Sequence, residues 1–335
     1  MLIEKIGNFE EIHYIKNEWN QLVFLSKGRN IFLTYEWFYS WWKCFSEGKN
    51  LEIFLIRNDD KNLIGIAPMM KKDKIIKLIG SQEVSDYTDF IIANQKEKIF
   101  FRFFLKYLKE KRSEIENLEL INVRDSSPTV QALPLIASDY NINCILKEIE
   151  VAPFLYLPSS YEEYLAKLSN KNRHELKRKL KRIESLDDLK IKKINNLKEL
   201  RNSIDDFISL HKKSSPEKAL FWNERTYCFF KEICNQFSPN KWIELYFLIY
   251  KDKIISSLLI FSYSENLYFF NSAYDKEFSW YSPGLYLFNY CIRQAILDKK
   301  IKIDFLRGGE KYKYNFGAEK SNLYKLNLKL KNNQK

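Results

Sequence analysis

Two stretches of this chain repeat one pattern, and the repetition limits the fold more than any other feature of the sequence. Residues 51–57, 63–70 and 75–79 are short apolar runs separated by Asn58-Asp59-Asp60-Lys61-Asn62 and Lys71-Lys72-Asp73-Lys74. Residues 244–250, 254–263 and 267–271 are three more, separated by Lys251-Asp252-Lys253 and Ser264-Glu265-Asn266. Runs of this length between polar turns read as antiparallel meanders. Each meander is followed by a helical period, over 95–111 and 283–298, and then by a strand, over 118–123 and 301–306. The first copy is preceded by a helix over 12–25 and by a second helix that Thr34 can N-cap, carrying Trp37, Trp41 and Trp42. It also contains a short strand over 89–92 and ends with a helix over 129–138 and a strand over 142–148. The expectation is an α+β chain of two like domains, each a mixed, largely antiparallel sheet flanked by helices. They span 1–150 and 194–335, with a connector over 151–193 and a last strand, 322–330, packing on the first domain. A length of 335 residues suits two domains; the competing reading is one mixed sheet with helical insertions.

The connector holds most of the chain's charge. Tyr161, Leu165, Leu168, Asn172, Leu176, Leu180, Ile183 and Asp187 recur at three and four, which reads as one long amphipathic helix. From Lys167 to Lys193 there are eleven Lys or Arg against four Asp or Glu, so this stretch carries +7 of the net +12. An anionic partner is implied, whether nucleic acid, a membrane surface or a phosphate-bearing ligand, and a solvated face is the plain alternative. The 16% of aromatic residues do not decide among these, since most alternate with aliphatics in strands. Trp37, Trp41, Trp42, Trp222 and Trp280 are candidates to line a cleft, because indoles favour sites with one wet edge. Five cysteines without a Cys-x-x-Cys pair point to buried thiols in a reducing compartment, and three scattered histidines make a metal site improbable. The N-terminus lacks a signal-peptide pattern, so the expected location is cytoplasmic, or peripheral at the inner face of a membrane.

Several short motifs stand in a fixed order: Phe32-Leu33-Thr34-Tyr35-Glu36-Trp37 with Trp41-Trp42, Gly65-Ile66-Ala67-Pro68, Gly80-Ser81 with Ser85-Asp86-Tyr87-Thr88-Asp89, and Lys171-Asn172-Arg173-His174-Glu175-Leu176-Lys177-Arg178-Lys179. Tyr281-Ser282-Pro283-Gly284 and Asp304-Phe305-Leu306-Arg307-Gly308-Gly309-Glu310-Lys311-Tyr312-Lys313-Tyr314-Asn315-Phe316-Gly317 complete the series. Together they resemble the GNAT-type acyltransferases of the CelD/BcsL group and, more distantly, the FemABX peptidyltransferases, which are built from two GNAT-like domains. The resemblance implies two GNAT-like domains in tandem and transfer of an acyl group, usually from coenzyme A, to an amine or hydroxyl. The expected reaction is acetyl transfer from acetyl-CoA, or another acyl-CoA, to an amino group of a sugar, sugar nucleotide or similar envelope precursor. Aminoacyl-tRNA-dependent peptidyl transfer and a non-catalytic nucleic-acid-binding or scaffold protein are the alternatives.

The chemistry assigns candidates. Ser282-Pro283-Gly284 reads as an N-cap serine, a first-turn proline and a glycine, a helix start fit to bind pyrophosphate. Tyr281, Leu285 and Arg307 complete the donor-site candidates. The chain departs here from the usual GNAT signature, Arg/Gln-x-x-Gly-x-Gly/Ala, because it offers a single glycine. Lys313 falls in an aromatic-Lys-x-x-Phe-Gly element like that of FemABX enzymes, whose lysine lies near the transferred carbonyl, and is the candidate electrostatic stabiliser. Asp304 and Glu310 are candidate bases for deprotonating an amine, with Asp86 a third. By resemblance Trp37, Asp86, Tyr87, Asp89, Arg173 and Tyr312 are acceptor-site candidates; turn-making is the other reading of the Asp86–Asp89 stretch. The basic segment 167–193 could meet tRNA or an anionic membrane.

Overall fold

The computed structural model describes residues 1–80 and 84–330; Ser81 of the Gly80-Ser81 motif lies outside them. The chain divides into two compact units, Met1–Val151 with the segment from Ser321 on, and Ala152–Lys320.

In the first unit β1 (Leu2–Ile6) leads through a 3-10 turn, Glu10–Ile15, to α1 (Lys16–Leu25) and α2 (Tyr35–Phe45). The helix expected over 12–25 therefore begins as a 3-10 turn. Thr34 caps α2, its Oγ1 accepting from the amide of Trp37. The meander is β2 (Asn50–Arg57), β3 (Leu63–Lys72) and β4 (Ile75–Leu78). After it come β5 (Ile91–Ile92), α3 (Glu97–Glu110), β6 (Asn117–Arg124), α4 (Pro128–Asp139) and β7 (Asn143–Val151). Helix α3 lies so close to the sheet that a Cβ on Gly65 would sit 2.2 Å from the Phe100 ring. Phe100, Phe101, Phe104 and Leu108 of α3 are wholly buried in the core over that sheet.

The second unit opens with β8 (Phe154–Tyr156), α5 (Tyr161–Lys167) and α6 (Asn170–Ile183). The single long helix expected here is two. Leu168 turns extended (ψ 144) and Ser169 starts a new helix, its Oγ accepting from the amide of Asn172 at 3.2 Å. The apolar stripe survives the break: Tyr164, Leu168, Leu176 and Ile183 are buried in this unit's core. Next come β9 (Leu189–Ile194) and three helices that the repeat pattern did not include, α7 (Leu197–Ser214), α8 (Pro216–Phe221) and α9 (Glu224–Phe237). The second meander follows as β10 (Ile243–Tyr250), β11 (Lys253–Tyr263) and β12 (Asn266–Tyr274). Lys251 and Asp252 are both left-handed (φ 45 and 61), as a two-residue hairpin turn requires. The unit closes with α10 (Pro283–Leu297), β13 (Lys302–Asp304) and α11 (Lys311–Asn315). Strand β13 stops short of the expected 306 because Leu306 is left-handed (φ 62).

The last strand, β14 (Asn322–Lys329), pairs antiparallel with both β6 and β7. The first sheet therefore runs β1-β2-β3-β4-β6-β14-β7, with β5 on β3, and the second β8-β13-β12-β11-β10-β9. Both are mixed and mainly antiparallel, with helices packed on them, the α+β architecture expected. Cys234 and Cys291 are buried free thiols and Cys144 is half-buried. Cys44 and Cys228 are not among the free thiols, which corrects the expectation of buried thiols throughout. Among the described residues no helix is long and apolar enough to cross a membrane, and none form a cluster able to hold a metal.

Candidate active site

The sheet of the second unit is open at one place. Strand β13 pairs with β12 only from Asn266 to Tyr268, so beyond Tyr268 the edge of β12 is not covered by β13. Hydrogen bonds fix the divergence. Asp304, wholly buried at the end of β13, accepts the Leu306 amide on Oδ1 at 3.0 Å. The Lys313 ammonium donates to the carbonyls of Leu306 (3.1 Å), Arg307 (2.7 Å) and Gly308 (2.9 Å), and its Nζ lies 2.9 Å from Glu310 Oε2. Three N–H donors thus meet four acceptors, and the ammonium is buried at the base of the turn. Gly308 has φ +105, a conformation that calls for glycine, and the Glu310 carboxylate packs over it.

Beside this turn lies a cleft of about 240 Å³ between β12, the start of α10 and α11. Tyr274, Phe288, Tyr312 and Phe316 supply aromatic walls, with Phe288 and Phe316 stacked at 6.0 Å. Ser272, Ser279, Ser282 and Lys179 give the cleft its polar lining. The hydroxyl of Ser282 does not cap α10 as the sequence suggested. Its backbone is left-handed (φ 55, ψ 50), whereas a capping serine needs the extended region, and its side chain makes no cap hydrogen bond. The first helical bond is Tyr286 N–H to the Ser282 carbonyl at 3.2 Å. Pro283 has no N–H, so the amides of Gly284 and Leu285 precede that bond and lie at the cleft without a side-chain cap. The helix dipole adds to them, making a site for an anion.

Lys179 closes the basic motif of the sequence but, like Ser272, Tyr274, Ser279 and Phe288 of the cleft, is not among the candidate site residues of the sequence analysis. It sits on α6, three residues beyond the buried Leu176, at the flank of the apolar stripe, and its Nζ is 3.3 Å from Glu175 Oε1. That spacing was the available signal. Helix α6 is held against the segment before α10 by Arg182, whose guanidinium stacks on the Trp280 ring at 4.1 Å and donates to the Trp280 carbonyl.

The structure thus brings Ser282, Pro283, Gly284, Leu285 and Tyr312 to one cleft. Tyr281 is half-buried against the core under α10. Arg307 contributes its carbonyl to the Lys313 clamp, and Glu310 packs over Gly308. Arg173 is on α6, where its guanidinium donates to Asn170 Oδ1 at 2.6 Å. The remaining candidates belong to the first unit. Trp37 is buried and donates its indole N–H to Ser85 Oγ at 2.8 Å, leaving no wet edge. Tyr87 is buried beneath the Arg124 guanidinium, 4.4 Å from its ring centre, and Asp86 is buried beside it. Asp89 ties three pieces together: Ser127 and Thr129 donate their hydroxyls to it, and the Phe90 amide donates to Oδ1 at 2.8 Å. Burial pushes its carboxyl up to about 6 despite these bonds.

The second unit thus sets a mainly antiparallel sheet, open at the edge of β12, beside an uncapped helix start. Residues 170–314 match the acetyltransferase (GNAT) domain family, so the second unit carries a GNAT-type N-acyltransferase domain. Solved structures show the same fold over the whole chain. FemX has 12% identity and a TM-score of 0.65, covering 96% of each chain. A tandem GNAT protein from the clavulanic acid biosynthesis pathway has 8% identity and a TM-score of 0.54, covering 99% of this chain and 100% of its own. L-PGS from Bacillus licheniformis has 10% identity and a TM-score of 0.56, with 94% and 91% covered. No curated protein matches the chain in sequence. Over the whole chain the likeness to these structures is one of fold, and the family match lies within the second unit.

Proposed function

We propose that the second unit transfers an acyl group, acetyl in the simplest case, from an acyl-CoA to an amino group on a sugar, a sugar nucleotide or a similar envelope precursor. The observation that carries this reading is the cleft at the uncapped start of α10, with Lys179 at its rim. The donor set fits coenzyme A: two amides and an ammonium for the phosphates, and aromatic walls for the apolar arm. Gly284 leaves ordinary room, since a Cβ there would be 3.6 Å from Tyr274 Cδ1. The sugar-linked acceptor comes from the sequence resemblance.

Acyl-CoA supplies a thioester carbonyl open to attack by an amine. The chain's own residues do the rest. The amides of Gly284 and Leu285 and the Lys179 ammonium hold the anionic end, the aromatic walls keep water from the reacting end, and Lys313 holds the turn that keeps β13 away from β12. Asp304 and Glu310 serve as anchors of that turn, because each carboxylate is bound within it. Among the described residues no carboxylate lines the cleft, and Asp304 and Glu310 are engaged in the turn, so on this reading water takes the acceptor's proton. Initial rates of thiol release from acetyl-CoA with amino sugars should accordingly climb with pH towards the acceptor's own pKa, without a plateau near a carboxylate or histidine value. Absence of thiol release with every amine offered, while acetyl-CoA binds, would refute the transfer.

A second reading has its own observation. Lys171, Lys177, Arg178 and Lys181 are exposed on α6, which suits a tRNA-borne donor. Filter binding of total tRNA at increasing salt separates the two: steep loss of affinity supports it, and no binding at low salt removes it.

A further inference from the structure

A second polar group lies across β12 from the cleft. A bulge between Leu259 and Ile260 of β11 leaves Phe270 of β12 as the extra residue. Phe269 packs on Phe288 of α10 (5.2 Å), whereas Phe270 packs on Phe230 of α9 (5.8 Å), and Asn271 Nδ2 lies 3.3 Å from His211 Nε2 of α7. Ser272 then lines the α10-side cleft again. On the α7 side, Trp222 donates its indole N–H to His211 Nδ1 at 3.0 Å, so the imidazole carries its proton on Nε2. Burial pushes that imidazole down to about 3, and it stays neutral.

The cation of the group is Lys218. It rises from α8 and donates to the carbonyl of Ser272. Among the described residues no carboxylate comes within ion-pair distance of it, and the one that acts on it electrostatically, Glu310, is bound to Lys313. A mostly buried ammonium with one backbone acceptor has donors to spare, and burying a cation without a counter-ion is unfavourable. Its place is the face of β12 opposite the donor cleft, at the uncovered edge, from which an acceptor can reach the donor's acyl end without displacing the donor.

Resting on the acyl-transfer reading, we propose that Lys218 anchors an anionic group of the acceptor, so that the amine acylated belongs to a molecule bearing a phosphate or a carboxylate. Calorimetric titration of the full chain with inorganic phosphate and, separately, with acetate tests this, in the presence and absence of saturating coenzyme A. The wild type should bind one of the two with coenzyme A present. Lys218→Gln and Lys218→Met should weaken that binding about tenfold, while Lys218→Arg keeps it. Lys179→Gln should leave it unchanged, and coenzyme A affinity should be the same in wild type and Lys218→Gln. The anion that binds tells a phosphorylated acceptor from a carboxylated one. Binding of neither anion, equal affinity in the Lys218 variants, or a loss of coenzyme A affinity in Lys218→Gln would each overturn the assignment. Failure of the wild type to bind coenzyme A would instead refute the acyl-CoA reading, and the difference between wild type and Lys218→Gln in the coenzyme-free titration would still decide the Lys218 site.

Discussion

Lys313 shows how far a residue's type can be read and its task cannot. Its aromatic-Lys-x-x-Phe-Gly setting marks it in the sequence, but the acceptors it holds are backbone carbonyls of Leu306, Arg307 and Gly308, which leave no trace in side-chain identity. Replacing it with methionine keeps the apolar stem and leaves buried carbonyls unmet, at about 1–3 kcal/mol. Lys313→Met should therefore lower the denaturation midpoint and the acyl-transfer rate together, measured by urea unfolding and thiol release. A lost rate with unchanged stability would instead make the ammonium an oxyanion donor. Asp89 offers a test in the first unit. Its folded value, about 6, lies above the ordinary 3.8, so the stability it contributes is full below about 4 and is lost as pH rises through 6. Asp89→Asn should remove that contribution from the urea-unfolding profile, on the order of a few kcal/mol across the window.

Elements were read best where one periodicity ran unbroken. The two meanders and the helices after them appear within a few residues of their expected ends, because alternation and turn residues act locally. Two features escaped for physical reasons. The stripe from Tyr161 to Ile183 stays in phase across the Leu168-Ser169 break, so hydrophobic spacing alone could not show that Ser169 ends one helix and starts another. Ser169→Ala should cost about 1 kcal/mol in urea unfolding, a typical N-cap loss; no change would mean that packing of α6, and not the cap, sets the break. Ser282 escaped because its left-handed backbone, imposed by the 3-10 turn Lys276–Tyr281 before it, removes the hydroxyl from the helix amides. That same displacement leaves the α10 start available to a ligand.

The order of meander, helix and strand, met twice, conveyed the tandem architecture, whereas α7 to α9 lie outside the repeat and bring in Lys218 and His211. The units also respond differently to acid. His211 in the second unit has a folded value near 3 against an ordinary 6.5, so its contribution is present above 6.5 and lost as pH falls towards 3, opposite in sign to Asp89. His211→Gln should flatten the acid limb of the urea-unfolding profile, whereas Asp89→Asn, which removes an opposing slope between about pH 4 and 6, should steepen it; identical profiles for the two variants would disprove the separation. Net charge, +12 overall, implies only an anionic partner, and in the scheme proposed above that demand falls on Lys179 at the cleft, Lys218 across β12 and the exposed cations of α6. The central claim is that the start of α10 binds the phosphates of coenzyme A. Titrating coenzyme A into the wild type and Gly284→Asp measures it most directly, since an aspartate in the first turn suits the helix and repels phosphate. The account expects one site in the wild type and affinity at least about tenfold weaker in the variant at undiminished thermal stability. No binding by the wild type, or equal binding by both, would contradict it.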